Sequence, residues 1–239
     1  MWLGLAWSCR AGGGLPVEPF QAVFTVYRFG FAVGEVSMTL AEEGGGRFSM
    51  RSHAEATGLL SLISSEQVDE WVLGEFHDGT PRPLIFRQER TGGESREVIL
   101  SFDWEQGLVK TSKNGREVTL AVQPRVVDPL TWYLLAMSDL SKDLVPGGYT
   151  LVRSDSLKTY RVRRHGAEVV PTPLGDLSTL VITRQREDSD KAIKVWHAPE
   201  LGLLPVQVAK LEDGEQILRM TIRELKRTRV PGADGDGGP

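Results

Sequence analysis

The side chains able to do chemistry in this chain are few and scattered. Four histidines, His53, His77, His165 and His197, stand far apart, with none of the short spacings that set two imidazoles on one metal or beside one nucleophile. His197 has the most distinctive setting, between Trp196 and Ala198-Pro199 at the end of an alternating segment, and is the candidate polar site residue. Its simpler role is to steady the turn. Asp103 and Glu105 flank Trp104 and could in principle share acid and base duties, although carboxylates at a hairpin end are ordinarily just solvated. The chain carries no phosphate-binding glycine loop, no Gly-x-Ser-x-Gly elbow and no His-Glu-x-x-His. A single cysteine, Cys9, leaves no intramolecular disulfide and no multi-cysteine zinc site. No catalytic residue, metal or cofactor is expected, and the chain reads as a non-enzyme.

Charge and aromatic side chains offer binding chemistry instead. With 28 Lys and Arg against 32 Asp and Glu, the net charge of −4 lacks the cationic surplus that phosphate backbones draw on, so nucleic acid is not an expected partner. Two local basic clusters remain: Arg161, Arg163, Arg164 and His165, and Arg223, Lys226, Arg227 and Arg229. Each could meet anionic lipid headgroups or an envelope protein partner, or simply be a solvated strand face. Phe24, Phe29, Phe31, Trp71, Phe102, Trp104, Trp132 and Tyr133 are candidates to line a cavity for a lipid or other apolar small molecule, a filled core being the plainer use of the same residues.

The elements that must position these groups are nearly all strands. From Pro19 to Leu40 apolar residues occupy both parities, which reads as one long, bent strand with Gly30 and Gly34 marking bulges. Phe48, Met50, Ala54 and Ala56 alternate with polar residues, which turns His53 toward the wetter face. Residues 58 to 65 form an apolar elbow. Further strands are expected at 66–73, 84–90 and 96–104, then a hairpin whose Asn114-Gly115 turn accepts positive φ at both positions. One stretch breaks the rhythm: Asp128-Pro129 followed by Leu130 to Leu140 reads as a capped, buried helix. Strands resume at 149–154, 159–164, 177–186, 192–198, 206–211 and 217–226. The pattern predicts a mainly antiparallel all-β fold, a long curled sheet forming a half-barrel or open barrel around one central helix.

Residues 1–18 are expected to be a signal-like or disordered segment, residues 19–229 a single domain, and the Gly- and Asp-rich residues 230–239 a disordered tail. The apolar start favours export to the periplasm or beyond, with Cys9 as the residue lipidated in a lipoprotein. No later segment approaches the apolar length of a transmembrane span.

The order Gly34-Glu35-Val36, Gly58-Leu59, Asp103-Trp104, Asp128-Pro129-Leu130, Thr172-Pro173-Leu174-Gly175, Trp196-x-Ala198-Pro199 and Leu204-Pro205-Val206 resembles the bacterial domain-of-unknown-function family 3108. The resemblance runs from about Phe20 to Lys226 and implies an exported protein without an established activity. By fold analogy, curled sheets on a helix are similar to periplasmic lipoprotein carriers. The leading expectation is an uncharacterised exported cell-envelope protein that binds a lipid or other apolar ligand. The alternatives are a structural or protein-interaction domain with no ligand and, third, an enzyme with a fold-assembled site.

Overall fold

The computed structural model describes residues 15–58, 61, 65–123, 125–144 and 148–227. Residues 1–14 of the expected signal-like segment, Cys9 among them, most of the 58–65 elbow, Arg229 and the tail lie outside them, whereas residues 15–18 lie within, with Val17 buried against the core. Fifteen strands form one sheet: β1 (Phe20–Arg28), β2 (Phe31–Gly44), β3 (Arg47–Ala56), β4 (Gln67–His77), β5 (Thr80–Thr91), β6 (Arg96–Asp103), β7 (Leu108–Lys113), β8 (Arg116–Ala121), β9 (Val126–Val127), β10 (Gly148–Arg153), β11 (Ser156–Thr172), β12 (Gly175–Gln185), β13 (Ala192–Ala198), β14 (Leu204–Glu212) and β15 (Glu215–Arg227). One helix, α1 (Thr131–Ser141), interrupts them. The spatial order is β8 through β1, then β15 back through β9, so the first and last long strands meet at the centre and the sheet stays open between β8 and β9. Pairing is antiparallel throughout except for the two-residue β9, which runs parallel to β10.

The expected long strand over Pro19–Leu40 is corrected to a hairpin. Arg28 pairs with Phe31, and Phe29 and Gly30 both take positive φ, 51° and 83°, in a two-residue turn. Doubly apolar parity there reflects two strands of opposite facing, not one bent strand. Gly34 does sit beside a register shift, at Val26/Tyr27, where a Cβ would lie 2.6 Å from the Glu55 carbonyl oxygen.

The curl exists to bury α1. Nine of its 11 residues are buried, so it has no solvent face and could not exist without the sheet around it. Leu130, Leu134 and Met137 pack with Phe20, Phe24, Phe48, Phe86 and Leu100 of the first half-sheet. Trp132, Leu135, Ala136 and Leu140 pack with Tyr149, Leu151, Ile182, Val195 and Val208 of the second. Asp128 Oδ1 accepts from the amides of Leu130 (2.8 Å) and Thr131 (3.0 Å), satisfying donors the helix start leaves free. At the other end Asp139 accepts from Arg125 Nη2 and from the Tyr149 hydroxyl (3.0 Å), while Ser138 Oγ donates to the Gly79 carbonyl of the β4–β5 turn (3.0 Å). Both half-sheets are thereby fastened to one helix.

Candidate functional site

The eight aromatic candidates do not converge on one cavity. Phe24 and Trp132 are fully buried core, in two separate apolar clusters. Phe102 stacks on Trp104 at 5.9 Å, and the Trp104 indole donates to the Pro83 carbonyl (2.8 Å). Tyr133 contacts Trp132 at 4.5 Å. Trp71 lies on the outer face, in a shallow groove with His53, Asp69 and Arg87. Phe29 and Phe31 are corrected most sharply: they are 75% and 76% exposed at the tip of the β1–β2 hairpin, facing no interior. Where the sequence offered aromatics for a chamber, the chain uses most of them to fill it.

His197 is fully buried, and its Nδ1 donates to the Leu203 carbonyl (2.8 Å) because a carbonyl can only accept. The other ring nitrogen, Nε2, has no partner among the described residues. Burial pushes its pKa down to about 4, against a partial rise from the Leu203 bond, so the ring is neutral at physiological pH. It bridges the one-turn 3-10 helix Pro199–Leu201, whose exit needs positive φ at Gly202 and Leu203. Among the described residues no carboxylate acts on it: Asp103 Oδ1 instead accepts from the Gln106 amide (2.8 Å), closing its own turn. Among the described residues no three metal-ligating side chains come together.

The basic clusters are largely engaged within the fold. Arg161 pairs with Glu187 (2.5 Å), Arg164 with Asp143 (2.5 Å), and Arg223 with Glu35 (2.9 Å). Arg227 Nη2 reaches the Leu201 carbonyl (2.5 Å), tying the last strand to the 3-10 turn. His53, with Asp69 at 2.7 Å, has its pKa raised chiefly by that hydrogen bond.

Two features the sequence did not single out stand on the same rim of the sheet. The first is the chemistry of the hairpin tip. Among the described residues four other two-residue turns with positive φ at both positions read Gly45-Gly46, Asp78-Gly79, Asn114-Gly115 and Asp213-Gly214, pairs that tolerate this geometry best. The β1–β2 turn alone of these five puts a phenylalanine in the first place, where a bulky side chain is disfavoured by about 1 kcal/mol. Arg28 lies over the Phe29 ring at 5.3 Å and Arg219 over Tyr27 at 4.8 Å. The second is Arg184 on β12, only 9% exposed and stacked 3.9 Å from the Trp132 ring centroid. The signal for the first was present as Phe-Gly among Asx-Gly and Gly-Gly turns. The second depends on a strand-to-helix contact that no spacing reveals.

These features define an open, curled antiparallel sheet wrapped on a single buried helix. A family model for a protein of unknown function (DUF3108) matches residues 23–223, and the chain belongs to that family. No curated protein matches. Among solved structures, a beta-barrel-like protein of domain of unknown function DUF1849 from Brucella abortus is similar in fold, at 10% identity and a TM-score of 0.62, covering 90% of this chain and 99% of that one. A candidate lipoprotein from Parabacteroides distasonis is more distant, at 10% identity and a TM-score of 0.40 over 90% of this chain and 98% of that one. So is a candidate exported protein with a YmcC-like fold from Bacteroides fragilis, at 13% identity and a TM-score of 0.37 over 89% and 98%. Among the described residues no helix is long and apolar enough to cross a membrane.

Proposed function

We propose that the protein is an exported, non-catalytic cell-envelope protein that meets lipid at a bilayer surface, through the Phe29-Gly30-Phe31 tip, and not in an internal chamber. The observation that carries this reading is a turn whose composition works against its own stability while holding two phenyl rings in water beside Arg28 and Arg219. Aromatic rings flanked by cations suit the boundary between headgroups and acyl chains. The inner space supports the same reading, because α1 and the two half-sheets fill it with Phe20, Phe24, Phe48, Phe86 and Trp132. Burying each phenyl is worth about 1.5–3 kcal/mol and each nearby cation about 1 kcal/mol on an anionic surface, which gives reversible docking. Reversible docking is what a second anchor, such as lipidation of Cys9, would make lasting.

Co-sedimentation with vesicles of phosphatidylglycerol and phosphatidylcholine tests this. The described domain should bind the anionic vesicles, and a Phe29→Asn, Phe31→Ser double variant should lose at least about tenfold in partitioning. Equal sedimentation of the two proteins would dismiss the reading.

A further inference from the structure

A guanidinium with no counter-ion among the described residues sits at the floor of a cleft whose charged lining is entirely cationic. Arg184 is buried, its Nε and Nη1 have no hydrogen-bond partner, and no carboxylate approaches it within ion-pair distance among the described residues. Its only close company is aromatic, Trp132 at 3.9 Å and Tyr160 at 5.2 Å. Above it opens a cleft of about 250 Å³ whose wall includes Arg153, Tyr160, Arg186, Lys191 and Lys210 and no Asp or Glu. Two of these cations are already neutralised. Arg186 is held by Asp188 (2.8 and 2.6 Å), and Lys191 by Glu212 (2.9 Å). Among the described residues Arg184 and Lys210 make no ion pair, and neither does Arg153, although its charge favours the ionised carboxylate of Glu70.

Cross-strand register explains why these groups gather. Lys210 pairs with Ile193 and Ile193 with Arg184, so all three lie in one row and share a face. The row runs on to Leu218 of β15, one residue beyond the Tyr27–Arg219 pair, and therefore ends beside the β1–β2 turn. Burying a charge costs several kcal/mol unless an opposite charge meets it. Nothing in the fold requires that cost, since an apolar side chain would cover Trp132 as well.

We infer that this cleft is a binding site for a compact oxyanion, phosphate or the phosphate of an ester, clamped between Arg184 below and Arg153 and Lys210 at the mouth. A guanidinium offers a fork of donors matched to phosphate oxygens, and Tyr160 adds a hydroxyl at the wall. The ester could be a soluble metabolite or the headgroup of a lipid in the surface on which the hairpin docks. The site stands on its own geometry and does not need the docking reading.

Thermal denaturation and calorimetry on the full chain test it, with inorganic phosphate and glycerol phosphate compared against chloride at matched ionic strength. Phosphate should bind one to one and raise the melting temperature of the wild type. Arg184→Met should melt at or above the wild-type temperature without phosphate, because a buried unpaired charge is gone, and should gain nothing from phosphate. Because Arg184→Met touches the core, Arg153→Gln and Lys210→Gln at the mouth provide a second measure, and each should weaken phosphate about tenfold. Phosphate that stabilises wild type and Arg184→Met equally, or that fails to bind the wild type at about 10 mM, overturns the inference. Vesicles separate the sources. Phosphatidylglycerol binding that depends on Arg184 marks a headgroup, while binding of soluble esters with Arg184-independent vesicle docking marks a free ligand. Loss of vesicle docking in the Phe29→Asn, Phe31→Ser protein with phosphate binding intact would report on the hairpin alone.

Discussion

His197→Asn should remove a specific part of the acid sensitivity of this fold. The buried ring is neutral because desolvation pushes its pKa down to about 4, whereas in the unfolded chain it returns to 6.5. A folded-state pKa below the unfolded one means that the unfolded chain binds the proton first. The contribution is therefore complete above pH 6.5 and is lost as pH falls toward 4. From that pair of values, stability attributable to His197 declines by about 2 kcal/mol between pH 7 and pH 5, and by about 3 kcal/mol at pH 4. Asparagine can place its amide where Nδ1 donates to Leu203, so the turn keeps its bond, and the lost ring atoms cost a constant that pH does not alter. Glu70 and Asp128 act in the opposite sense, because burial raises their pKa values and folding then favours their protonation as pH falls. Urea denaturation of both proteins from about pH 7 to about pH 5 cancels those shared terms, and the wild-type minus variant difference isolates the ring. A difference that stays flat to within about 0.5 kcal/mol would refute the argument that a buried, neutral His197 holds the turn.

Two further outcomes follow from the same geometry. Asp128→Ala leaves the Leu130 and Thr131 amides without their acceptor at the start of a helix that has no solvent to turn to, and should lower unfolding free energy by about 1–2 kcal/mol in urea titration. Phe29→Asn should raise it, by up to about 1 kcal/mol, because asparagine tolerates the left-handed conformation that phenylalanine occupies at φ 51°. A single substitution that strengthens the fold while weakening vesicle binding would separate the turn's stability from its use.

Much of the architecture was legible because strand alternation and turn chemistry are local. Asn114-Gly115, Thr172-Pro173-Leu174-Gly175 and Asp128-Pro129 each state their conformation in the residues themselves; the turns lie where they indicate, and the helix begins at Thr131, two residues after Pro129, with Asp128 still holding its first amides. The β1–β2 turn was missed for the same reason: Phe29-Gly30 lacks the Asx or Gly first residue that the other described turns of its type carry, and both flanking parities are apolar. The two-residue β9 is too short to have any pattern. The aromatic candidates were misplaced as a group because composition cannot say which face of a curled sheet is inside. Phe29 sits in the turn itself and Phe31 on the last cross-strand rung before it, and Trp71 has the outward parity of its strand. Arg184 follows strand alternation in β12 like any residue, and its inward direction is decided only by α1 arriving over it.

Two choices that work against folding occupy one rim. A sequence selected for stability alone would place Asn, Asp or Gly at position 29, as the other described turns of this type do, and an apolar residue at position 184, like the neighbouring side chains packed on the helix. Neither departure is compensated locally: Phe29 gains only Arg28 across its ring, and Arg184 gains two ring faces but no acceptor. Departures of this kind persist where they serve something outside the fold. Cross-strand register sets the two sites at the same end of the sheet, four strands and about 19 Å apart by way of Ile193, Lys210 and Leu218, so one surface meets both at separate points. The rim where the sheet's local rules fail is thus the part of the molecule best suited to meet an anionic amphiphile, with phenyl rings for its apolar portion and an unpaired guanidinium for its charge.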